Sequence, residues 1–166
     1  MTDRGVAMRV GIGYDSHRFA EGGPMRLGGI DVPESRHCAG HSDGDAVCHA
    51  ITDAILGAAA LGDIGALFPD TDPANKNADS IVMLAAAVAR VHGAGWNVGN
   101  VDVTVVAERP KIGPHREAMR ARLAATLHVS VDDVFVKGKT NERMGWIGRD
   151  EGLGVMAVAT LVRASS

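Results

Sequence analysis

The chain has 166 residues, 46% of them apolar and 22% charged, with a formal net charge of −3. That length suits one globular domain able to bury roughly two thirds of its unfolded surface. The charge gives no global attraction to nucleic acid or to an anionic membrane, and no apolar run approaches the roughly 20 residues of a membrane span. The segment Met1–Ala7 has no hydrophobic signal core. Residues 1–7 are therefore expected to be a flexible extension, residues 8–163 the domain, and the location cytoplasmic (plastid stroma for a plant-type source). Cys38 and Cys48 form no CxxC pair and are too few for a disulfide framework, which fits a reducing compartment.

Met8–Tyr14 reads as a strand, and Pro24–Pro33 as a short hairpin around Gly28-Gly29. A helix is predicted from about Gly44 to Leu61, capped by Asp43 or Ser42 and stopped at Gly62, with Val47, Ile51, Ile55 and Ala58 on its apolar face. Gly62–Ala78 has no pattern of its own, and loops of that length in compact domains tend to be functional or disordered. Asp79-Ser80 opens a second helix that stops near Gly93. A strand over Val98–Glu108 follows, then a helix from Pro114 with Met119, Leu123 and Leu127 as its buried stripe. Val131–Lys139 and Gly154–Arg163 are the last strands. In the final one, Val155, Ala157, Ala159 and Leu161 face one way and Met156, Val158, Thr160 and Val162 the other, so both faces are mostly apolar. Three helices cover one side of such a sheet, and no element is left for the second. Copies of the same chain are the natural cover. The fold class is α+β, a mixed four-stranded sheet with helices on one face.

The sharpest chemical feature is Asp15-Ser16-His17 at the end of the first strand, with His49 in the first helix. Residues two apart on a strand face the same way, so a carboxylate and an imidazole emerge together. A third ligand from the helix would leave a tetrahedral divalent ion one open position, as a catalytic site requires. Asp45, His49 and Asp53 are spaced four apart on that helix, so either carboxylate is in reach of the second nitrogen of His49. A solvated helix face is the competing reading. Cys48 points elsewhere and belongs to the core. The Asp63–Gly65 turn and Phe68–Asp72 offer backbone amides and carboxylates to a hydroxylated ligand. Ala107–Gly113 ends a strand and feeds a helix, a place where anions and nucleotides bind. Lys137-Gly-Lys-Thr-Asn-Glu142 lacks the glycine spacing of a Walker loop, but offers phosphate contacts and a further metal ligand in Glu142.

Taken in order, Gly13-Tyr-Asp-Ser-His17, His41-Ser-Asp-Gly-Asp45, Leu61-Gly-Asp-Ile-Gly65, Phe68-Pro-Asp-Thr-Asp-Pro73, Gly99-Asn-Val-Asp102 and Pro110-Lys111 resemble one family, 2-C-methyl-D-erythritol 2,4-cyclodiphosphate synthase of the non-mevalonate route to isoprenoids. The resemblance runs from Met8 to Arg163. It implies a chorismate-mutase-like homotrimer with its sheets around a central axis and an active site between each pair of subunits. The implied reaction closes a ring: the 2-phosphate of 4-diphosphocytidyl-2-C-methyl-D-erythritol 2-phosphate attacks the β-phosphorus and expels CMP. Asp15, His17 and His49 would hold Zn2+, and Asp15, Ser16 and His17 would also touch the substrate. His41 and Ser42 would contact phosphate, His41 stabilising the transition state. Asp63, Ile64, Gly65, Phe68, Pro69, Asp70, Thr71 and Asp72 would hold the methylerythritol part. Ala107, Glu108, Arg109, Pro110, Lys111, Ile112 and Gly113 would form the cytidine pocket. Lys139, Thr140, Asn141, Trp146 and Arg149 complete the substrate set, with Thr140 catalytic at the phosphates. Glu142 would bind Mg2+ or Mn2+ bridging the α- and β-phosphates.

Two positions depart from the family pattern. Lys139 stands where a small hydroxyl residue is expected, and Asp150 where glycine is expected. Arg149 and Glu151 would lie near the trimer axis, beside an apolar cavity for an isoprenoid diphosphate. The chemistry suits such a set: the nucleophile is already a phosphate dianion, so charge neutralisation and alignment matter more than a base. Competing readings are a metal-dependent phosphohydrolase and a non-catalytic trimer that binds isoprenoid diphosphate.

Overall fold

The structure, a computed structural model, describes residues 7–164. The expected extension, residues 1–7, therefore lies outside the described residues except for Ala7, whose carbonyl accepts from Arg163 N at 3.2 Å.

In chain order the elements are β1 (Met8–Glu21), β2 (Met25–Leu27), β3 (Ile30–Val32), β4 (Arg36–Cys38), α1 (Ala46–Ala59), α2 (Ile64–Leu67), α3 (Ser80–Gly93), β5 (Trp96–Val106), α4 (Arg116–Leu127), β6 (Val134–Lys139), α5 (Gly145–Gly148) and β7 (Gly152–Arg163). The main sheet has the order β4-β1-β7-β5-β6, while β2 and β3 form the separate hairpin. Only β5 and β6 run parallel, joined across α4; the other pairs are antiparallel. The sheet is thus mixed, as expected, but has five strands rather than four. The extra one, β4, pairs only with Phe19–Glu21 and is too short to show alternation.

The helices α1, α3 and α4 share one face of the sheet. Beneath them lie Val101, Val103 and Val105 of β5, Val134 and Val136 of β6, and Val155, Ala157, Ala159 and Leu161 of β7, all buried. The sheet meets α1 through a seam of small residues. A methyl group added at Gly11 would sit 2.0 Å from Ala54 O, and one at Gly13 only 1.8 Å from Ala50 O. Only glycine lets β1 come this close to a helix. The opposite face is open: Val10 is 60% exposed, Ile12 70%, Tyr14 59%, Met156 44% and Val158 41%. Buried apolar contacts stabilise by roughly 25 cal/mol per Å², and this face forgoes that gain within a single chain.

Several boundaries differ from the sequence expectations for local reasons. Gly44 has φ of 77°, outside the helical region, so α1 begins at Ala46 with Asp45 as its cap. The Asp45 carboxylate is fully buried and accepts from Cys48 N at 3.1 Å, Gly28 N at 2.8 Å and Gly29 N at 2.6 Å. It binds the hairpin to the helix start. The helix ends at Ala59, one turn before Gly62, because Ala60 is left-handed. The stretch expected to be patternless contains α2 and a single 3₁₀ turn over Pro73–Asn75. Val131–Asp133 is also a 3₁₀ turn, capped by Ser130, so β6 starts at Val134. Cys38 and Cys48 are free and buried, as the core reading of Cys48 required. Burial pushes the Cys38 thiol up to about 12, and that of Cys48 well above its usual range.

Candidate metal centre and active-site cavity

The strand β1 runs past Tyr14 to Glu21, so Asp15 and His17 project from one regular strand toward α1. His49 comes down from the first turns of α1 to meet them. His17 Nε2 lies 2.8 Å from Asp15 Oδ2, His49 Nδ1 lies 3.1 Å from the same oxygen, and the two ring nitrogens are 3.4 Å apart. Among the described residues this is the one group of three or more such donors, its atoms all within 4.8 Å of one another. Burial opposes the charge of Asp15, but the adjoining His17 and His49 imidazoles outweigh it and hold the carboxyl at about 2. Burial likewise works against the His17 cation, and the bond to Asp15 overrides it and raises the imidazole above its ordinary range. An anionic oxygen and two imidazole nitrogens converging on one point fit a divalent metal ion.

The ring orientations follow from partners that were not expected. His17 Nδ1 lies 2.7 Å from Ala39 O. Neither Asp45 nor Asp53 supports His49: Asp45 caps α1, and Asp53 accepts from Ile64 N at 2.7 Å. The outer nitrogen of His49 instead meets two hydroxyls, Ser80 Oγ at 2.8 Å and Ser42 Oγ at 3.0 Å.

The triad opens into a cavity of about 230 Å³. Its walls bring together His17, His41, Ser42, His49, Ile64, Gly65, Phe68 and Asp70, all anticipated, with Asn75 and Met83 added. The remaining anticipated residues of this stretch do other work. Asp63 caps α2 through Ala66 N at 2.8 Å, and Asp72 caps the 3₁₀ turn through Ala74 N at 2.9 Å. Pro69 O accepts from Asn75 Nδ2 at 2.9 Å, and Thr71 is exposed. Ser16 alternates to the opposite, exposed side of β1, so its side chain does not join the triad.

A second cavity, of about 260 Å³, lies where β5 and β6 end. Ala107, Pro110, Lys111, Ile112, Gly113, Lys139 and Thr140 line it, together with Arg116 and Gly138. Glu108 and Arg109 face a neighbouring hollow with Arg143 and Asp150. There Glu108 Oε1 accepts from Asn141 N at 3.2 Å and from Arg143 N at 3.1 Å. This braces a turn in which Glu142 and Arg143 both have positive φ. Thr140 Oγ1 donates to Glu142 Oε1 at 3.0 Å. Trp146 is partly exposed, and Arg149 pairs with Glu151 at 2.8 Å on the surface. Asp150, where glycine was expected, has φ of 61°, a conformation that favours glycine. Its carboxylate lies 3.2 Å from Arg36 Nη2 and 3.7 Å from Arg109 Nε.

A mixed sheet with helices on one face, and an Asp/His/His triad at the mouth of a cavity, define a single-domain α+β protein whose donor set fits a divalent ion. The YgbB family model matches residues 8–162, and the chain belongs to that family. It is 72% identical over 161 residues to the 2-C-methyl-D-erythritol 2,4-cyclodiphosphate synthase of Gemmatimonas aurantiaca, covering 97% of each chain. Among solved structures it resembles the bifunctional IspDF of Campylobacter jejuni with a TM-score of 0.92 and 40% identity, covering 96% of this chain and 43% of that one. It also resembles the CDP complex of Plasmodium falciparum IspF, with a TM-score of 0.84 and 32% identity, covering 96% and 98%. Among the described residues, no helix is long and apolar enough to cross a membrane.

Proposed function

We propose that this chain converts 4-diphosphocytidyl-2-C-methyl-D-erythritol 2-phosphate into 2-C-methyl-D-erythritol 2,4-cyclodiphosphate and CMP, a phosphorus–oxygen lyase reaction of the non-mevalonate route to isoprenoids. The observation that carries this reading is the Asp15/His17/His49 triad at the mouth of the His41-lined cavity, in a chain 72% identical to a synthase of that name. An oxygen of the 2-phosphate bonds to the β-phosphorus while the bond to the CMP oxygen breaks, and the electron pair leaves with CMP. Asp15, His17 and His49 would hold Zn2+, which supplies a Lewis acid and a template for phosphoryl oxygens when bound. His41 and Ser42 donate to phosphate oxygens from the loop ahead of α1. Ile64, Gly65, Phe68 and Asp70 hold the methylerythritol unit, and the wall they form keeps water from the β-phosphorus. The tether between the reacting groups makes closure unimolecular, worth up to roughly 7–11 kcal/mol when they are aligned.

The residues around the second cavity hold the cytidine, Ala107–Gly113 reading the base and Thr140 touching the phosphates. Glu142 would hold Mg2+ or Mn2+, which neutralises diphosphate charge when bound. The open face of the sheet, where Ile12, Tyr14, Met156 and Val158 are exposed, supports a homotrimer packed around that face, in which one subunit's cytidine pocket would complete its neighbour's metal site. An isoprenoid diphosphate near Arg149 and Glu151 belongs to the same reading. Incubating the zinc-loaded protein with the cytidyl substrate and following phosphorus resonances tests the proposal. Cyclic diphosphate with stoichiometric CMP is expected, and a linear product would instead make the chain a phosphohydrolase.

A further inference from the structure

Ser80 is fully buried at the start of α3. Its hydroxyl carries one proton, and that proton goes to Asp43 Oδ1, with which Ser80 Oγ makes a short hydrogen bond. Asp43 is itself held in place. Its Oδ2 accepts from Ser80 N at 3.0 Å, its Oδ1 accepts from Asp45 N at 3.1 Å, and Arg26 Nε stands 3.9 Å from Oδ2. A carboxylate has no proton to return, so Ser80 Oγ can only accept from its other neighbour, His49 Nε2 at 2.8 Å. The ring proton of His49 therefore sits on Nε2, where Ser42 Oγ at 3.0 Å shares it as a second acceptor. The lone pair on Nδ1 is left facing Asp15 and His17, on the side where an ion would bind. His17 is set by the same logic with one link fewer: Ala39 O only accepts, so Nδ1 carries the proton and Nε2 faces inward.

We infer that Asp43 and Ser80 form a positioning relay that fixes the tautomer and orientation of the His49 imidazole for divalent-ion binding. This rests on the metal reading of the triad and adds two residues outside it. Partners behind a metal-bound histidine hold its ring and are typically worth 10–100-fold in metal affinity. The relay also explains why a serine 31 residues from His49 in sequence is fully buried. It ties α3 to the loop carrying His41 and Ser42, so the ion seat and that wall of the cavity share one anchor.

The informative substitution is Asp43→Asn, which preserves shape and reverses the relay. The amide oxygen still accepts from Ser80 N, while the amide nitrogen donates to Ser80 Oγ and gives up the bond from Asp45 N. The serine proton then turns toward His49 Nε2 and drives the ring proton onto Nδ1, where the ion belongs. Zinc affinity, measured by chelator competition on the full chain, is expected to fall roughly 10–100-fold. In the metal-free protein at alkaline pH, long-range nitrogen–proton correlations of His49 are expected to switch from the Nε2–H to the Nδ1–H pattern. Unchanged affinity with an unchanged tautomer would overturn the relay. Should Asp43→Asn not fold, Ser80→Ala against Ser80→Thr decides: affinity lost with alanine and kept with threonine supports the relay, and equal affinity in both removes it. Asp15→Ala separates the two levels. Zinc retained in Asp15→Ala defeats the metal reading itself, whereas zinc lost there but kept in Asp43→Asn defeats the relay alone.

Discussion

Replacing Gly13 with alanine tests whether the metal site depends on how closely β1 approaches α1. The added methyl would lie 1.8 Å from Ala50 O, 2.8 Å from Ala50 C and 3.0 Å from Ala54 N. That is roughly 1.7 Å short of an ordinary contact of about 3.5 Å. Backbone atoms of a packed helix cannot swing aside as a side chain does, so strand and helix must part. Overpacking of this kind costs about 1–3 kcal/mol, which for a domain of this size lowers the melting temperature by up to about 10 °C. The parting also moves His49, on α1, away from Asp15 and His17, on β1. Metal–ligand distances tolerate about 0.2 Å. Zinc affinity should therefore fall by at least the roughly 100-fold that loss of a ligand's support can cost. Gly57 on the same helix is the control, since a methyl there meets nothing within 4 Å. Gly57→Ala should raise stability by about 0.5–1 kcal/mol through helix propensity and leave zinc binding alone. Calorimetry and chelator competition on both variants give the answer. A Gly13→Ala protein with unchanged melting temperature and zinc affinity would refute the argument that the seam sets the site.

Two other perturbations probe the cavity and the triad. Replacing His41 with alanine should lower turnover about 100-fold, the usual cost of one transition-state donor, while zinc content stays whole; an unaltered rate would take His41 out of the chemistry. In the metal-free protein, the contribution of Asp15 is full above its ordinary value of 3.8 and is lost as pH falls through about 2. That of His17 is full below its ordinary 6.5 and is lost as pH rises through its raised value. Both describe one pair, so the stability gap between wild type and Asp15→Asn should be widest between about pH 4 and 6.5, on the order of 2 kcal/mol. A gap that fails to narrow below and above that window would show that the pair does not stabilise the fold.

The triad was legible because period-two alternation is local: Asp15 and His17 had to share a face once β1 was read as a strand. The supports of His49 were not. Spacing along a helix pointed to Asp45 and Asp53, yet the hairpin amides and Ile64 N claim those carboxylates first. Ser80 reaches His49 only after α1 and α3 have packed, a contact no window along the chain contains. Short elements escaped for a related reason. Both β4 and α5 are three or four residues long, held by pairing and packing rather than by any pattern of their own. Asp150 is the converse case, where the family pattern expected glycine and the backbone kept glycine's conformation.

The ion's seat is built from a strand and a helix, while Ile64, Gly65, Phe68, Asp70 and Asn75 of the cavity wall belong to the stretch between α1 and α3. Framework and rim are thus separable units of inheritance. Under the proposed function, substitutions in that stretch would retune which organic skeleton is accepted while leaving the Asp15/His17/His49 triad in place, because loops tolerate exchange that packed elements do not. Grafting a rim of different shape onto this scaffold is accordingly a route to phosphoryl cyclisation of other diphosphates.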